Sequence, residues 1–86
     1  MDVHFKPTFI RQFNRLESDL QEEVLEKIEL FKNSRKNPQL KVHKLKGELR
    51  GFSSFSVNYK IRIVFSYASK HEAVLFAVGD HDVYKN

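Results

Sequence analysis

The chain has 86 residues, 41% of them apolar and 30% charged, with eight Phe and three Tyr, the composition of an ordinary globular protein. The absence of Cys excludes disulfides, thiolate nucleophiles and Cys-based zinc sites. No apolar run approaches the roughly 20 residues that cross a bilayer, and the start, MDVHFKPTF, lacks the h-region of a signal peptide, so a cytoplasmic location is expected. The net charge of +4 hides an asymmetry: from Lys32 to Arg62, nine Lys/Arg stand against a single acid, Glu48. Such a block concentrates polyanions, which makes nucleic acid the first partner to consider, with a solvated basic surface or an acidic protein partner as the alternatives.

Val3 and Phe5 alternate with polar neighbours, which predicts a short strand ended by Pro7, a residue suited to the first turn of a helix. Phe9, Ile10, Phe13 and Leu16 then form an apolar stripe. Ser18 followed by Gln21 resembles a capping box opening a second helix, whose face is Leu20, Val24, Ile28 and Phe31. Acids in its first turns and bases at its end complement the helix dipole. The two helices read as an αα-hairpin.

After Pro38 the period changes from helical to alternating. Gly47 and Gly51 bracket a loop or bulge before a strand at Phe52–Val57; Asn58 supplies a turn; Ile61, Ile63, Phe65 and Tyr67 mark the apolar face of the next strand. Glu72–Val78 is almost wholly apolar, as expected of a strand covered on both sides. The order β-α-α-β-β-β predicts a single α+β domain over residues 1–86, with the helical hairpin on one face of a four-stranded, mainly antiparallel sheet. The opposite, concave face is expected to stay open for function.

The residues that could carry chemistry fall late in the chain. His81 and Tyr84 follow the last strand, and a His near a Tyr at a strand end is a candidate acid/base pair, weighed against a structural or merely exposed His81. His43 lies among Lys41, Lys44 and Lys46 and is a candidate proton acceptor, weighed against a merely exposed histidine. Arg62 interrupts an apolar strand and could bind phosphate oxygens bidentately, or form a salt bridge to Asp80 or Asp82. His4 and His71 receive no role. No chelating cluster, phosphate loop or nucleophile elbow occurs, so no metal and no cofactor is expected.

HKLKGELRGFSSFSVNYKIRIVF followed by AVLFAVGDHDVYK resembles the RelE/ParE superfamily of small toxins from bacterial and archaeal toxin–antitoxin pairs. The resemblance covers essentially the whole chain. It rests most on Leu45, Lys46, Gly47, Leu49 and Gly51, on Tyr59 to Phe65 including Arg62, and on Gly79 to Tyr84. It implies the β-α-α-β-β-β fold and, in many members, a ribonuclease that cuts mRNA in the ribosomal A site, whereas the ParE branch acts on DNA gyrase. Arg62 matches the arginine of the sheet's third strand, His81 the C-terminal histidine of the YoeB and YafQ branches, and Tyr84 lies close to the family's C-terminal tyrosine. The RelE branch carries an arginine near the end of the last strand where this chain has Gly79, so that branch's scheme does not transfer.

The expectation is therefore a metal-independent, ribosome-dependent mRNA endonuclease with a cognate antitoxin, the ribosome and mRNA as partners, leaving room for a higher-order toxin–antitoxin complex. His43 is the candidate base, His81 the acid, Arg62 the phosphate stabiliser and Tyr84 a positioning group. Lys41, Lys44, Lys46 and Arg50 are the candidate phosphate-binding residues. The alternatives are a ParE-like gyrase inhibitor and an inactive binding module of the same fold.

Overall fold

Pro7 sets the first change of structure, because its fixed φ fits a helical first turn while its missing N–H cannot extend a ladder. In a computed structural model, which describes residues 1–80 and Val83, strand β1 (Asp2–Phe5) accordingly stops and helix α1 (Pro7–Asn14) begins. Phe9 of α1 is buried, with its ring centroid 5.3 Å from Phe5 and 6.3 Å from Phe13. Helix α2 (Ser18–Ser34) follows closely, and the capping box expected at its start does not form. The N-cap is Glu17, which makes no side-chain cap bond, so Ser18 already lies inside the helix. Gln21 instead donates through Nε2 to the Phe13 carbonyl at 3.0 Å. The short connection brings the Phe13 carbonyl, which also accepts from Leu16 N–H at 3.1 Å, within its reach, and the amide ties the two helices together.

Strands β2 (His43–Lys44), β3 (Ser53–Ser56), β4 (Arg62–Ser69) and β5 (Glu72–Gly79) join β1 in one sheet, ordered β1-β5-β4-β3-β2. Every neighbouring pair is antiparallel except β1 with β5. The sheet thus has five strands rather than the expected four. The additional one, β2, has two residues, and two residues cannot show a period.

The predicted helical stripe supplies the core. Val24, Ile28 and Phe31 of α2 are buried against Phe55, Ile63, Phe65, Leu75 and Val78 of the sheet. Phe31 stacks on Phe55 at 4.6 Å and meets Phe65 edge-on at 4.8 Å. Aromatic pairs of this kind add about 0.5–1.5 kcal/mol beyond the area they bury. The partner of the apolar face is the helix side, as the alternation in β4 requires.

The far face is less open than expected. The β4–β5 register shifts between Val64, paired with Ala77, and Phe65, paired with Leu75, which leaves Phe76 as the extra residue of a bulge. Phe76 meets Phe52 edge-on at 4.9 Å, Lys6 Nζ lies 5.8 Å from its ring, and Val64 is buried. A small second cluster therefore covers the β5 half of this face. At the edge of the sheet, β1 ends level with Leu75, where Lys6 N–H makes the last bond to the Leu75 carbonyl. Beyond it the side chain of α1 takes over from a strand: Gln12 Oε1 accepts the Val78 N–H at 2.8 Å, satisfying an edge group that would otherwise be unpaired.

Candidate nucleic-acid interface

Cross-strand partners share a face of a sheet, so the register decides which candidate residues meet. His43 pairs with Ser54 and Ser54 with Val64; one step along, Ser56 pairs with Arg62 and Arg62 with Gly79. Phe55 and Ile63, the residues between, point into the helix-side core. His43, Ser54, Ser56 and Arg62 therefore lie on the face away from α2. Strand spacing separates the Cα atoms of His43 and Arg62 by roughly 12 Å.

The hydrogen bonds of His43 define its tautomer. Its Nδ1 lies 3.0 Å from the Lys41 carbonyl, which can only accept, so Nδ1 carries the proton. In the neutral ring Nε2 is then the acceptor nitrogen, 3.4 Å from the buried Ser54 hydroxyl. That tautomer, with its acceptor nitrogen against the sheet face, is the one a general base needs.

Arg62 is held by carbonyls. Its Nη1 donates to the Asn58 carbonyl at 2.6 Å and to that of Ile61 at 3.3 Å, and among the described residues no carboxylate forms an ion pair with it. The turn that holds it is itself fixed by Asn58, whose Oδ1 accepts from Lys60 N and Ile61 N at 2.8 and 2.7 Å, and whose Nδ2 donates to Glu23 of α2 at 3.1 Å. Arg62 thus faces a shallow cleft of about 280 Å³ at the outer edge of β3, shared with Lys27, Gln39, Lys41, Ser56 and Tyr59. Three cations meet there, only two of which, Lys41 and Arg62, were picked out by sequence. Lys27 gave no signal because a lysine on a helix surface is commonplace, and Tyr59 gave little, although it is 91% exposed at the tip of the turn.

Lys44 and Arg50 border a different cleft with Phe52, Ser53, Ser66 and Tyr67, and alternation along β2 turns Lys44 away from His43. Lys46 precedes a 3₁₀ turn at Gly47–Leu49, whose two flanking glycines, Gly47 and Gly51, adopt positive φ of 69° and 99°. His81 and Tyr84 lie outside the described residues. Gly79, opposite Arg62, leaves no room for the arginine of the RelE branch: a Cβ there would come 2.8 Å from Val83 Cγ1. His4 pairs through Nε2 with Glu72 at 3.2 Å, on β1 and β5, away from this face's candidates.

No protein-family model and no curated protein matches the chain. Solved structures do. A YoeB/ParE toxin from Agrobacterium tumefaciens superposes with a TM-score of 0.77 at 16% identity, over 94% of this chain and 99% of that one. The chain has the RelE/ParE toxin fold. The DinJ–YafQ toxin–antitoxin complex of E. coli gives a TM-score of 0.78 at 12% identity over 99% and 97% of the two chains. The RelBE2 toxin–antitoxin complex of Mycobacterium tuberculosis gives 0.65 at 21% over 93% and 96%. Coverage of 93–99% of this chain and 96–99% of the others means that the likeness extends over nearly the whole chain.

Proposed function

We propose that the chain is the toxin of a toxin–antitoxin pair and that it cleaves mRNA on the ribosome, with an antitoxin protein as its inhibitor. The observation that carries the nuclease reading is the placement of His43, with Nδ1 against the Lys41 carbonyl and Nε2 toward the same face that presents Arg62. The reaction is attack of a ribose 2′-oxygen on the adjacent phosphorus. The 2′-OH proton passes to His43 Nε2, the P–O5′ bond breaks, and an acid returns a proton to the leaving 5′-oxygen. His81 is the candidate acid and Tyr84 a candidate positioning group. Protein cations stabilise the charge that develops on the phosphorane.

Arg62 supplies that charge by exchanging its two carbonyl acceptors for phosphate oxygens, since ion-assisted hydrogen bonds are roughly twice as strong as those to neutral acceptors. Lys41 and Lys27 line the same cleft and steer the phosphate backbone toward it, and Lys44, Lys46 and Arg50 extend the positive surface. The RelE/ParE fold and the toxin–antitoxin complexes among its structural neighbours support the toxin role and the antitoxin partner.

The test is cleavage of mRNA on translating ribosomes. The expected products end in a 2′,3′-cyclic phosphate and a 5′-hydroxyl. His43→Gln should lower the rate by about 10²-fold or more, the usual contribution of a positioned base, and Arg62→Ala by about 10²–10³-fold, with circular dichroism unchanged in both. Wild-type protein that leaves ribosome-bound mRNA intact but arrests gyrase supercoiling would replace this reading with the ParE-like one.

A further inference from the structure

The turn between β3 and β4 carries a ring that the fold does not use. Every other aromatic ring among the described residues lies against a second ring, whereas Tyr59 meets none and is 91% exposed. A single exposed ring is ordinary on a protein surface. This one stands at the tip of a tight turn, where Gly, Asn, Asp and Ser are the residues that help the backbone, and the turn is held by other groups. Val57 and Ile61 are buried on either side of it, the Val57 N–H bonds the Ile61 carbonyl at 2.9 Å, and the Asn58 side chain accepts the Lys60 and Ile61 N–H groups from within. Tyr59 is thus presented on a stiff support to which its own side chain contributes nothing.

The surroundings of the ring say what it is presented to. Lys27, Lys41 and Arg62 border the same cleft, so the one unpacked aromatic among the described residues stands beside three cations. Strand register gives the order along this face. His43 is level with Ser54, Arg62 is one row further on, level with Ser56, and the turn that carries Tyr59 follows directly. Arg62 therefore stands between His43 and Tyr59. A phosphate held by Arg62 has the ribose that gives up its 2′-proton on the His43 side, and the nucleotide on its other ester oxygen falls on the Tyr59 side. A flat ring next to backbone-holding cations is the arrangement on which single-stranded bases stack.

We infer that Tyr59 is a substrate-binding residue whose ring stacks on the base of the nucleotide 3′ to the phosphate held by Arg62. Purines at that position bind more tightly than pyrimidines, because the larger ring system covers more of Tyr59. The inference rests on the cleft being an RNA site, as proposed above. The probes are two dinucleotides with a single phosphate, which fixes their register on Arg62, and a 2′-O-methyl group on the 5′ ribose, which removes the attacking hydroxyl. One carries 2-aminopurine 3′ of the phosphate and the other carries it 5′. Titration with the chain should quench the fluorescence of the 3′ label, as stacking does. Tyr59→Leu should abolish that quenching and weaken binding about tenfold, and Tyr59→Phe, which keeps the ring, should retain both. The thermal unfolding midpoint should be the same in all three proteins. On translating ribosomes Tyr59→Leu should lower kcat/KM about tenfold through KM, since a stacked base is held equally before and during the reaction.

Absence of quenching, quenching that survives Tyr59→Leu, or quenching confined to the 5′ label would each overturn the inference. So would a fall in the unfolding midpoint of Tyr59→Leu, by making the ring structural. A chain that quenches the 3′ label through Tyr59 yet leaves ribosome-bound mRNA intact defeats the nuclease proposal and not this one.

Discussion

The two faces of β4 are built from adjacent residues and obey different rules. Toward α2 the strand presents Ile63 and Phe65, both fully buried in a cluster with Phe31, Phe55 and Leu75. Toward the far side it presents Arg62 and Val64, and the strand beside it presents Ser54 and Ser56, which are buried as well. Burial is therefore common to both faces, and polarity is what separates them. Buried hydroxyls are tolerated only with partners, and the Ser54 hydroxyl lies against His43 Nε2. The far face accepts that constraint and in exchange can orient a proton acceptor and a guanidinium. The helix face cannot do this, because any such group there would be desolvated without a partner.

The largest expected effect falls on the helix face. Phe31 stacks on Phe55, meets Phe65 edge-on, lies 6.4 Å from the Tyr67 ring and has no solvent exposure, so Phe31→Ala removes one ring and breaks three aromatic contacts. Truncations of this type cost about 3–5 kcal/mol. In so short a chain much of the total stability would go, and urea unfolding should show a large fall in midpoint. On the far face the order reverses: His43→Gln and Arg62→Ala should leave the midpoint almost unchanged while lowering cleavage as stated above. If Phe31→Ala cost less than about 1 kcal/mol, or if Arg62→Ala unfolded the chain, the division of labour between the two faces would be wrong.

How much of this could be read from sequence follows from what each feature depends on. The core stripe Val24, Ile28, Phe31 and the alternation Ile63, Phe65 were legible because period and hydrophobicity coincide there. The β-α-α-β-β-β order followed. The two-residue β2, the Phe76 bulge and the Gln21 bond to Phe13 were not legible. Each depends on a pairing between residues of different elements that local pattern does not register. In the candidate site, His43, Lys41 and Arg62 were legible as residue types, but the tautomer of His43 needed the Lys41 carbonyl, and Lys27 needed the approach of α2 to the β3 edge. The expected capping box failed for a similar reason: Gln21 bonds the Phe13 carbonyl of the preceding helix, and the N-cap is Glu17.

The next effect sharpens the boundary between the faces at the end of β5. Gly79 sits across from Arg62, and a Cβ there would lie 2.8 Å from Val83 Cγ1, closer than side chains pack. Val83 is itself buried, so it has little room to yield. Gly79→Ala should cost about 1–3 kcal/mol by overpacking, measured by thermal unfolding, and Gly79→Ala with Val83→Ala should recover most of it. A neutral single substitution would show that the segment around Val83 moves without resistance, and the steric reason for the absent arginine would fall.

The smallest effect sets stability against function at one residue. Lys41 has φ 49° and ψ 47°, the left-handed conformation, at the end of the 3₁₀ turn Pro38–Leu40. For a residue with a Cβ this costs roughly 1–2 kcal/mol, which glycine avoids. Glycine also enlarges the unfolded ensemble, which returns about 0.5–1 kcal/mol of that gain. Lys41→Gly should therefore raise stability slightly, by about 0.5 kcal/mol. The same change removes a cation from the cleft that holds Arg62 and so should weaken single-stranded RNA binding and reduce its salt dependence. The carbonyl that Lys41 offers to His43 Nδ1 belongs to the backbone and stays in place, so the loss of binding can be assigned to the charge. A lysine kept where glycine is more stable marks a position selected for its side chain. If Lys41→Gly instead destabilises the fold and leaves RNA affinity unchanged, Lys41 is structural and the cleft at the β3 edge loses one of its three cations.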